Sequence, residues 1–317
     1  MSSPKRIVLV TGCSRSGTTA VGSNLSLSRG TRYIYEPFNS QTGLTCINTH
    51  FPVPGSDEFS LELFDDCVRK IQVLDLDLKP GVLARDTGWR RIFKSHIGSR
   101  TRLSYLMCRF DMLLKTIVWK DPLAAFAAEA LTIRHNIPVV VTVRPPVAVA
   151  ASFKRMAWTP RVADLSRRLN DVGLNFAGSY IDRYQDSLHQ SSVAAAILWR
   201  MVYSTLLHAR RRSDALHFVN VQDFVEKPVA RYHHLYDLLG LSWSPKVEAA
   251  IGKRHVAKSA KAKNAEQMPQ RAHIAHRDLQ QINQYGRKLL TPEEVKVIED
   301  VCAELWPEVQ AACLTWN

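Results

Sequence analysis

Ile7-Val8-Leu9-Val10, followed at once by Gly12-Cys13-Ser14-Arg15-Ser16-Gly17-Thr18-Thr19, is the stretch that decides the fold. A short apolar run leading into a glycine turn and then a helix reads as a buried strand feeding a phosphate-binding loop. Backbone N–H groups of such a loop converge on one point, and the helix N-terminus adds partial positive charge. The frame is that of G-x-x-x-x-G-K-[ST], but Thr18 stands where the lysine belongs. That lysine reaches the β/γ-phosphates in nucleoside triphosphatases, and the residue after it holds Mg²⁺. Here the cation sits inside the loop as Arg15, whose planar guanidinium suits an oxyanion. The loop is therefore expected to wrap an anion other than MgATP, through Ser14, Arg15, Ser16, Gly17, Thr18 and Thr19.

Three further apolar runs repeat the pattern. Tyr33-Ile34-Tyr35 ends at Glu36-Pro37-Phe38, Lys115–Trp119 runs into Lys120-Asp121-Pro122, and Val139–Val143 ends at Arg144-Pro145-Pro146. A fourth run, Leu216–Val221, follows a long amphipathic stretch at Ser192–Arg211. Asp121 with Pro122 reads as a helix start, and Thr291-Pro292-Glu293-Glu294 as a capping box. Strands alternating with helices predict an α/β fold with a mostly parallel central sheet flanked by helices. Ligands in such folds bind beyond the carboxyl ends of the strands, where Arg15, Glu36, Lys120 and Arg144 all fall.

The 317 residues suffice for one large domain or two small ones, and 46% hydrophobic with 22% charged residues describe an ordinary globular chain. A net charge of +13 points to acidic partners. No run approaches the ~20 apolar residues that span a bilayer, so any membrane contact is expected to be peripheral. The six cysteines form no C-x-x-C pair and no metal spacing, and the start of the chain has no signal-peptide core. A reduced, metal-free, cytoplasmic protein is the expectation. Basic residues alternate with acidic ones and no aromatic-basic RNA motif is present, which argues against a nucleic-acid partner.

Taken together, the segments resemble the sulfotransferases that use 3′-phosphoadenosine-5′-phosphosulfate (PAPS). Cys13–Thr19 resembles their 5′-phosphosulfate loop. Val141-Thr142-Val143-Arg144-Pro145 with Ser152 resembles their 3′-phosphate motif. Tyr35-Glu36-Pro37-Phe38 is similar to the catalytic-glutamate segment of the carbohydrate and tyrosylprotein branches. Trp119-Lys120-Asp121-Pro122 is similar to a lysine segment of the tyrosylprotein branch and of bacterial members. Trp199-Arg200 and Val221–Leu241 are similar to later parts of the family, so that the resemblance runs in order over about residues 5–306.

The resemblance implies a single domain over residues 1–317 with a P-loop-like three-layer fold. It also implies PAPS as cosubstrate, 3′,5′-ADP as product, and in-line sulfuryl transfer without metal to an acceptor hydroxyl. Glu36 is implied as the base, Arg15 and Lys120 as the groups neutralising the leaving oxygen, and Arg144 with Ser152 as the 3′-phosphate clamp. Residues 39–56 and 79–114 are read as acceptor-site insertions, and 252–277 as a lid. Trp89 and Trp158 are candidates for stacking on a sugar, and Ser259 for a contact with the sulfuryl group. The expected acceptor is a carbohydrate or glycolipid hydroxyl, of acidic character. Two departures qualify the match: Val221-Gln222-Asp223-Phe224 lacks the family's usual glutamate and receives no catalytic role, and a glycine-rich C-terminal donor-binding run is absent, with Arg254–Lys263 as its only stand-in. The rival reading is a P-loop kinase or other nucleotide-binding protein, for which Asp121 is the one obvious Mg²⁺ ligand.

Overall fold

A computed structural model describes residues 3–81, 98–263 and 289–316. The strands are β1 (Arg6–Thr11), β2 (Thr31–Tyr35), β3 (Thr116–Lys120), β4 (Val139–Val143) and β5 (Leu216–Asn220). They form one sheet of order β2-β3-β1-β4-β5. The pairings of β1 with β3, β1 with β4 and β2 with β3 are all parallel. Such strands are covered on both faces, so they read as continuous apolar runs rather than alternating ones. All five residues of β3 and all five of β4 are buried, as are the last five of β1.

The register explains why the candidate residues follow strands. Val10 pairs with Lys120, and Tyr35 pairs with the same lysine from the other side. The carboxyl ends of β1, β2 and β3 are thus level with one another, and Glu36 donates its backbone N–H to the Lys120 carbonyl at 2.9 Å.

Contacts group the chain into two compact units. The first comprises Met1–Thr11, Thr18–Val141 and Ala209–His217. Its helices are α1 (Thr18–Leu25), α2 (Leu61–Val73), α3 (Arg100–Arg109) and, after a 3₁₀ turn at Pro122–Ala127, α4 (Ala128–His135). Ser60 caps α2 and Ser99 caps α3, each accepting from a backbone N–H three residues on. The core beside β3 is aromatic: the Phe38 ring meets the fully buried Trp119 edge-on at 4.8 Å.

The second unit comprises Gly12–Gly17, Thr142–His208 and Phe218–Asn317. It holds α5 (Pro146–Met156), α6 (Val162–Asp171), α7 (Gly178–Arg183) and α8 (Ser191–Arg210), then α9 (Asp223–Glu226), α10 (Pro228–Leu238), α11 (Pro245–Lys263), α12 (Pro292–Cys302) and α13 (Leu305–Ala312). The long helix α8 is its spine. Trp199 and Tyr203 on α8 are fully buried, their ring centroids 4.6 Å apart. The capping box at Thr291 and Glu294 forms in full, and Glu294 also accepts from Lys154 and Ser192 at 2.6 Å each. One carboxylate thereby ties α12 to α5 and α8.

The 79–114 stretch, read as an acceptor-site insertion, contains α3 over Arg100–Arg109, while 82–97, including Trp89, lies outside the described residues. The helix that Asp121-Pro122 starts is 3₁₀ over Pro122–Ala127 and turns α-helical only at Ala128. Residues 252–263, read as part of a lid, continue α11. The rest of that lid, and the side chain of Ser259, fall outside what is described.

Candidate functional site

The loop between β1 and α1 is shaped by its two glycines. Gly12 has φ +135°, and a Cβ there would come within 2.4 Å of the Thr142 carbonyl oxygen. Gly17 has φ +96°, and a Cβ would meet Val221 at 2.8 Å. Neither position admits another residue without displacing its neighbour. Between them Arg15 adopts φ +75°, a strained backbone state for a side chain of this size. Of the six non-glycine residues with positive φ among the described residues, three are left-handed helix caps (Leu74, Asn136 and Ala157). Arg15 and Glu36 (φ 44°) are not caps, and both are sequence candidates for chemistry.

Within the second unit, three of the predicted phosphate ligands come together. The Arg15 Nε donates to Ser152 Oγ at 2.9 Å, and the Arg144 Nη1 donates to the Arg15 carbonyl at 3.1 Å. Arg144 is 6% exposed, although a strand-end arginine is ordinarily a surface residue. Burial, followed by the charges of Arg15 and Arg155, pushes its guanidinium down to about 10. Two arginines therefore repel a third that is already out of water. Such an arrangement stores an unfavourable charge that an anion would relieve. Trp158 lies beside the cluster, with the Arg15 guanidinium 5.9 Å from its ring centre. This tryptophan is 41% exposed rather than core.

The serine expected to work with Arg144 is thus held by Arg15 instead. Ser16 is also placed differently from a ligand-facing hydroxyl. It is fully buried, its Oγ lies 2.7 Å from Thr142 Oγ1, and its backbone N–H donates to the Cys13 carbonyl at 3.0 Å. Tyr203 closes the same corner by donating to the Thr142 carbonyl at 2.7 Å. Trp199 fixes the next residue, donating from its indole to the Arg144 carbonyl at 3.1 Å. Ser16 shapes the loop from inside, whereas Ser14 and Arg15 are half-buried.

Within the first unit, Thr18 is buried at the start of α1 and Thr19 is exposed. The main feature here is an ion pair. Lys120 Nζ lies 2.5 Å from Glu36 Oε1, with side chains 3% and 12% exposed. The second carboxylate oxygen accepts from Asn39 Nδ2 at 3.1 Å. The Lys120 ammonium also stands 4.4 Å from the Tyr35 ring centre. Burial, then the Glu36 charge, pushes the Tyr35 phenol up to about 12, so it stays a neutral donor beside the carboxylate. Asn39 was not singled out in the sequence, yet its position just after Pro37-Phe38 carries a signal. Its Oδ1 accepts from Gln41 N at 2.9 Å, the local turn that asparagine favours.

Asp121 is fully buried, and its oxygens are taken by N–H donors. Phe38 N and Trp119 Nε1 donate to Oδ2 at 2.7 and 3.3 Å, and Leu123 N donates to Oδ1 at 3.0 Å. Burial, then the Glu36 charge, pushes its carboxyl up to about 7. An aspartate engaged in this way is a structural cap and joint. It offers little to a Mg²⁺ ion, and the kinase reading loses its one candidate ligand. Asp223, in the segment given no catalytic role, accepts from the Trp316 indole at 2.5 Å. Among the described residues no helix is long and apolar enough to cross a membrane.

No family model matches the chain, and no curated protein does. Among solved structures, the chain is similar to the sulfotransferase STF9 from Mycobacterium avium, at 14% identity over 97% of this chain and 77% of that one, with a TM-score of 0.42. It is similar to the sulfotransferase domain from the curacin biosynthetic pathway, at 13% identity over 96% and 99% of the two chains, with a TM-score of 0.43. It is also similar to the sulfotransferase STF1 from Mycobacterium tuberculosis H37Rv, at 17% identity over 79% and 71%, with a TM-score of 0.41. Overlays at this level decide nothing about chemistry; the side chains described above must do so.

Proposed function

We propose that the chain is a sulfotransferase that moves a sulfuryl group from PAPS to an acceptor hydroxyl. The observation that carries this reading is the Arg15–Arg144–Ser152 cluster around a strained glycine loop. Its donor set is cationic and hydroxylic, with Arg155 adding to the positive field. That set fits a nucleotide bearing several phosphate charges, and it needs no bridging metal to offset them.

The cosubstrate supplies the activated sulfuryl group. The protein's own work is positioning and charge stabilisation. Arg144, nearly immobile through burial and its bond to the loop backbone, holds the 3′-phosphate. Arg15, fixed in direction by Ser152, faces the charge at the 5′ end. The backbone amides of the Gly12–Gly17 loop add neutral donors there.

Glu36 takes the acceptor's proton at a carboxylate oxygen. Lys120 is bonded to that same carboxylate, which assigns it first to holding and neutralising Glu36. Asn39 orients the second oxygen, and Tyr35 completes the wall beside it. Residues 39–56 and the described parts of 79–114 supply the acceptor pocket. An acidic carbohydrate or glycolipid hydroxyl suits the chain's net charge of +13.

The test is release of 3′,5′-ADP from radiolabelled PAPS in the presence of a panel of hydroxyl acceptors. Turnover with at least one acceptor is expected, falling ~100-fold or more in Glu36→Gln while 3′,5′-ADP still binds, as for loss of a general base. A Glu36→Gln enzyme with unchanged turnover would remove the base assignment. Binding of MgATP in preference to 3′,5′-ADP would remove the whole reading.

A further inference from the structure

Cys46 and Cys67 belong to none of the chemistry above, yet they stand with their sulfurs 3.2 Å apart. Cys67 is fully buried on α2, while Cys46 is half-buried on the loop that follows Glu36. Their surroundings are asymmetric. The Cys67 thiol is the hydrogen-bond partner that, more than anything else, pulls the Cys46 thiol down to about 7, with the Lys70 ammonium assisting. That same bond and burial push Cys67 well up. The half-buried Cys46 sulfur is thus the more readily ionised of the two, with the fully buried Cys67 thiol against it. This is the arrangement of an attacking and a resolving cysteine.

The other thiols lack it. Cys13, Cys108 and Cys302 are buried and pushed up chiefly by burial, and Cys313 donates to the Val309 carbonyl at 3.4 Å.

The position of the pair gives a bond there a consequence. Leu44 N donates to Pro37 O at 2.8 Å, and Ile47 N to Leu44 O at 3.1 Å. Lys79 Nζ reaches the carbonyls of both Ser40 and Ile47. Residues 36–47 are thus tied to one another by hydrogen bonds, and Asn39 among them holds the Glu36 carboxylate. A covalent link from Cys46 to Cys67 would join this segment to α2.

We propose that Cys46 and Cys67 are a peroxide-sensitive modification site that closes reversibly to a disulfide and locks the Glu36 loop onto α2. The Cys46 thiolate attacks one oxygen of hydrogen peroxide. An S–O bond forms, the O–O bond breaks, and the departing hydroxide takes up the proton released by Cys46 to become water. The Cys67 sulfur then attacks the Cys46 sulfur of the sulfenic acid. The S–S bond forms, the S–O bond breaks, and the hydroxide leaves as water with the Cys67 proton. Two thiols lose two electrons in all, and one peroxide is reduced to two waters. A dithiol reductant reverses the bond by exchange.

The experiment treats the full chain with hydrogen peroxide, removes the peroxide, unfolds the protein in denaturant with N-ethylmaleimide to block every remaining thiol, and reads intact mass and peptide maps. Expected are a species two blocked thiols short, a peptide joining Cys46 to Cys67, and full reversal by dithiothreitol. Cys67→Ser stops at a Cys46 sulfenic acid that dimedone captures, and Cys46→Ser gives neither product. The first variant alters a buried side chain and the second a half-buried one, so folding loss in one leaves the other informative. Slower backbone hydrogen exchange over 37–47 in the oxidised protein reads the lock itself. Six blocked thiols after treatment, a bond mapped to other cysteines, or the same product from Cys46→Ser would overturn the proposal. The bond is read by mass, so it stands or falls independently of the transfer activity on which its effect at Glu36 rests.

Discussion

Replacing Arg144 with methionine is expected to make the protein more stable and its nucleotide binding worse. The side chain is 6% exposed, and burial with two neighbouring arginines lowers it from 12.5 to about 10. A depression of that size corresponds to ~3 kcal/mol of unfavourable charge in the folded state. The sign follows from the linkage of protons to folding. A cation with a lowered folded value carries its cost at every pH below about 10, and sheds it only as pH rises from there toward 12.5. At pH 7 the full cost is present. Methionine removes it, keeps most of the volume, and gives up the bond to the Arg15 carbonyl, worth about 1–2 kcal/mol.

The net gain is about 1–2 kcal/mol, which for a chain of this length raises Tm by roughly 2–3 °C. Binding moves the opposite way. Loss of two charge-assisted bonds to a phosphate, at about 1.5–3 kcal/mol each, weakens 3′,5′-ADP by ~100-fold or more. Scanning calorimetry on the free protein and titration calorimetry with 3′,5′-ADP measure both quantities. A lower Tm with unchanged affinity would refute the reasoning, because it would make Arg144 a structural arginine whose charge the fold already satisfies.

Two further outcomes test the other cluster. Removing one partner of the buried Glu36–Lys120 pair is expected to cost about 3–5 kcal/mol, because the survivor stays out of water without its counter-charge. Glu36→Gln with Lys120→Met together should cost clearly less than the sum of the two single changes, and a double-mutant cycle in denaturant would show it; simple additivity would mean that the pair is not coupled. Asp121, pushed up to about 7, keeps in the folded state a proton that the unfolded chain releases near pH 4, so its contribution to stability falls as pH rises from about 4 to about 7. Tm measured across that window should decline by this component in the wild type and lose it in Asp121→Asn, with a parallel pH profile for the two proteins as the contrary result.

Much of this was legible in the chain because parallel strands advertise themselves. Val139–Val143 and Ile7–Val10 are apolar without interruption since both faces are covered, and each is followed by its polar candidate. Helix α3 was hidden for the opposite reason. Its buried positions are Thr101, Ser104, Tyr105 and Cys108, spaced as a helix requires but mostly small and polar. Two of its three large aliphatic residues, Leu103 and Met107, are exposed at 47% and 56%. A periodicity search sees the wrong face.

At the site, the spacing of Arg144 and Ser152 was visible, but which arginine the serine would face was not. That depends on Arg15 adopting positive φ, which no propensity encodes. Glu36 and Lys120 are 84 residues apart. Their pairing follows from the parallel register that sets Tyr35 opposite Lys120, a tertiary fact. Asp121 was readable as a cap from Asp-Pro, whereas its bond to Phe38, 83 residues away, exists only because the turn after β2 lies against the end of β3.

The most direct measurement is titration of the free protein with 3′,5′-ADP, set beside 5′-AMP and ATP with Mg²⁺. If Arg144 and the Arg15 loop accept a nucleotide phosphorylated on both its 3′ and 5′ sides, 3′,5′-ADP binds tightly, 5′-AMP binds at least ~10-fold more weakly for want of one charge-assisted contact, and Mg²⁺ is not required. Equal affinity for 5′-AMP, or binding confined to ATP with Mg²⁺, would contradict this reading.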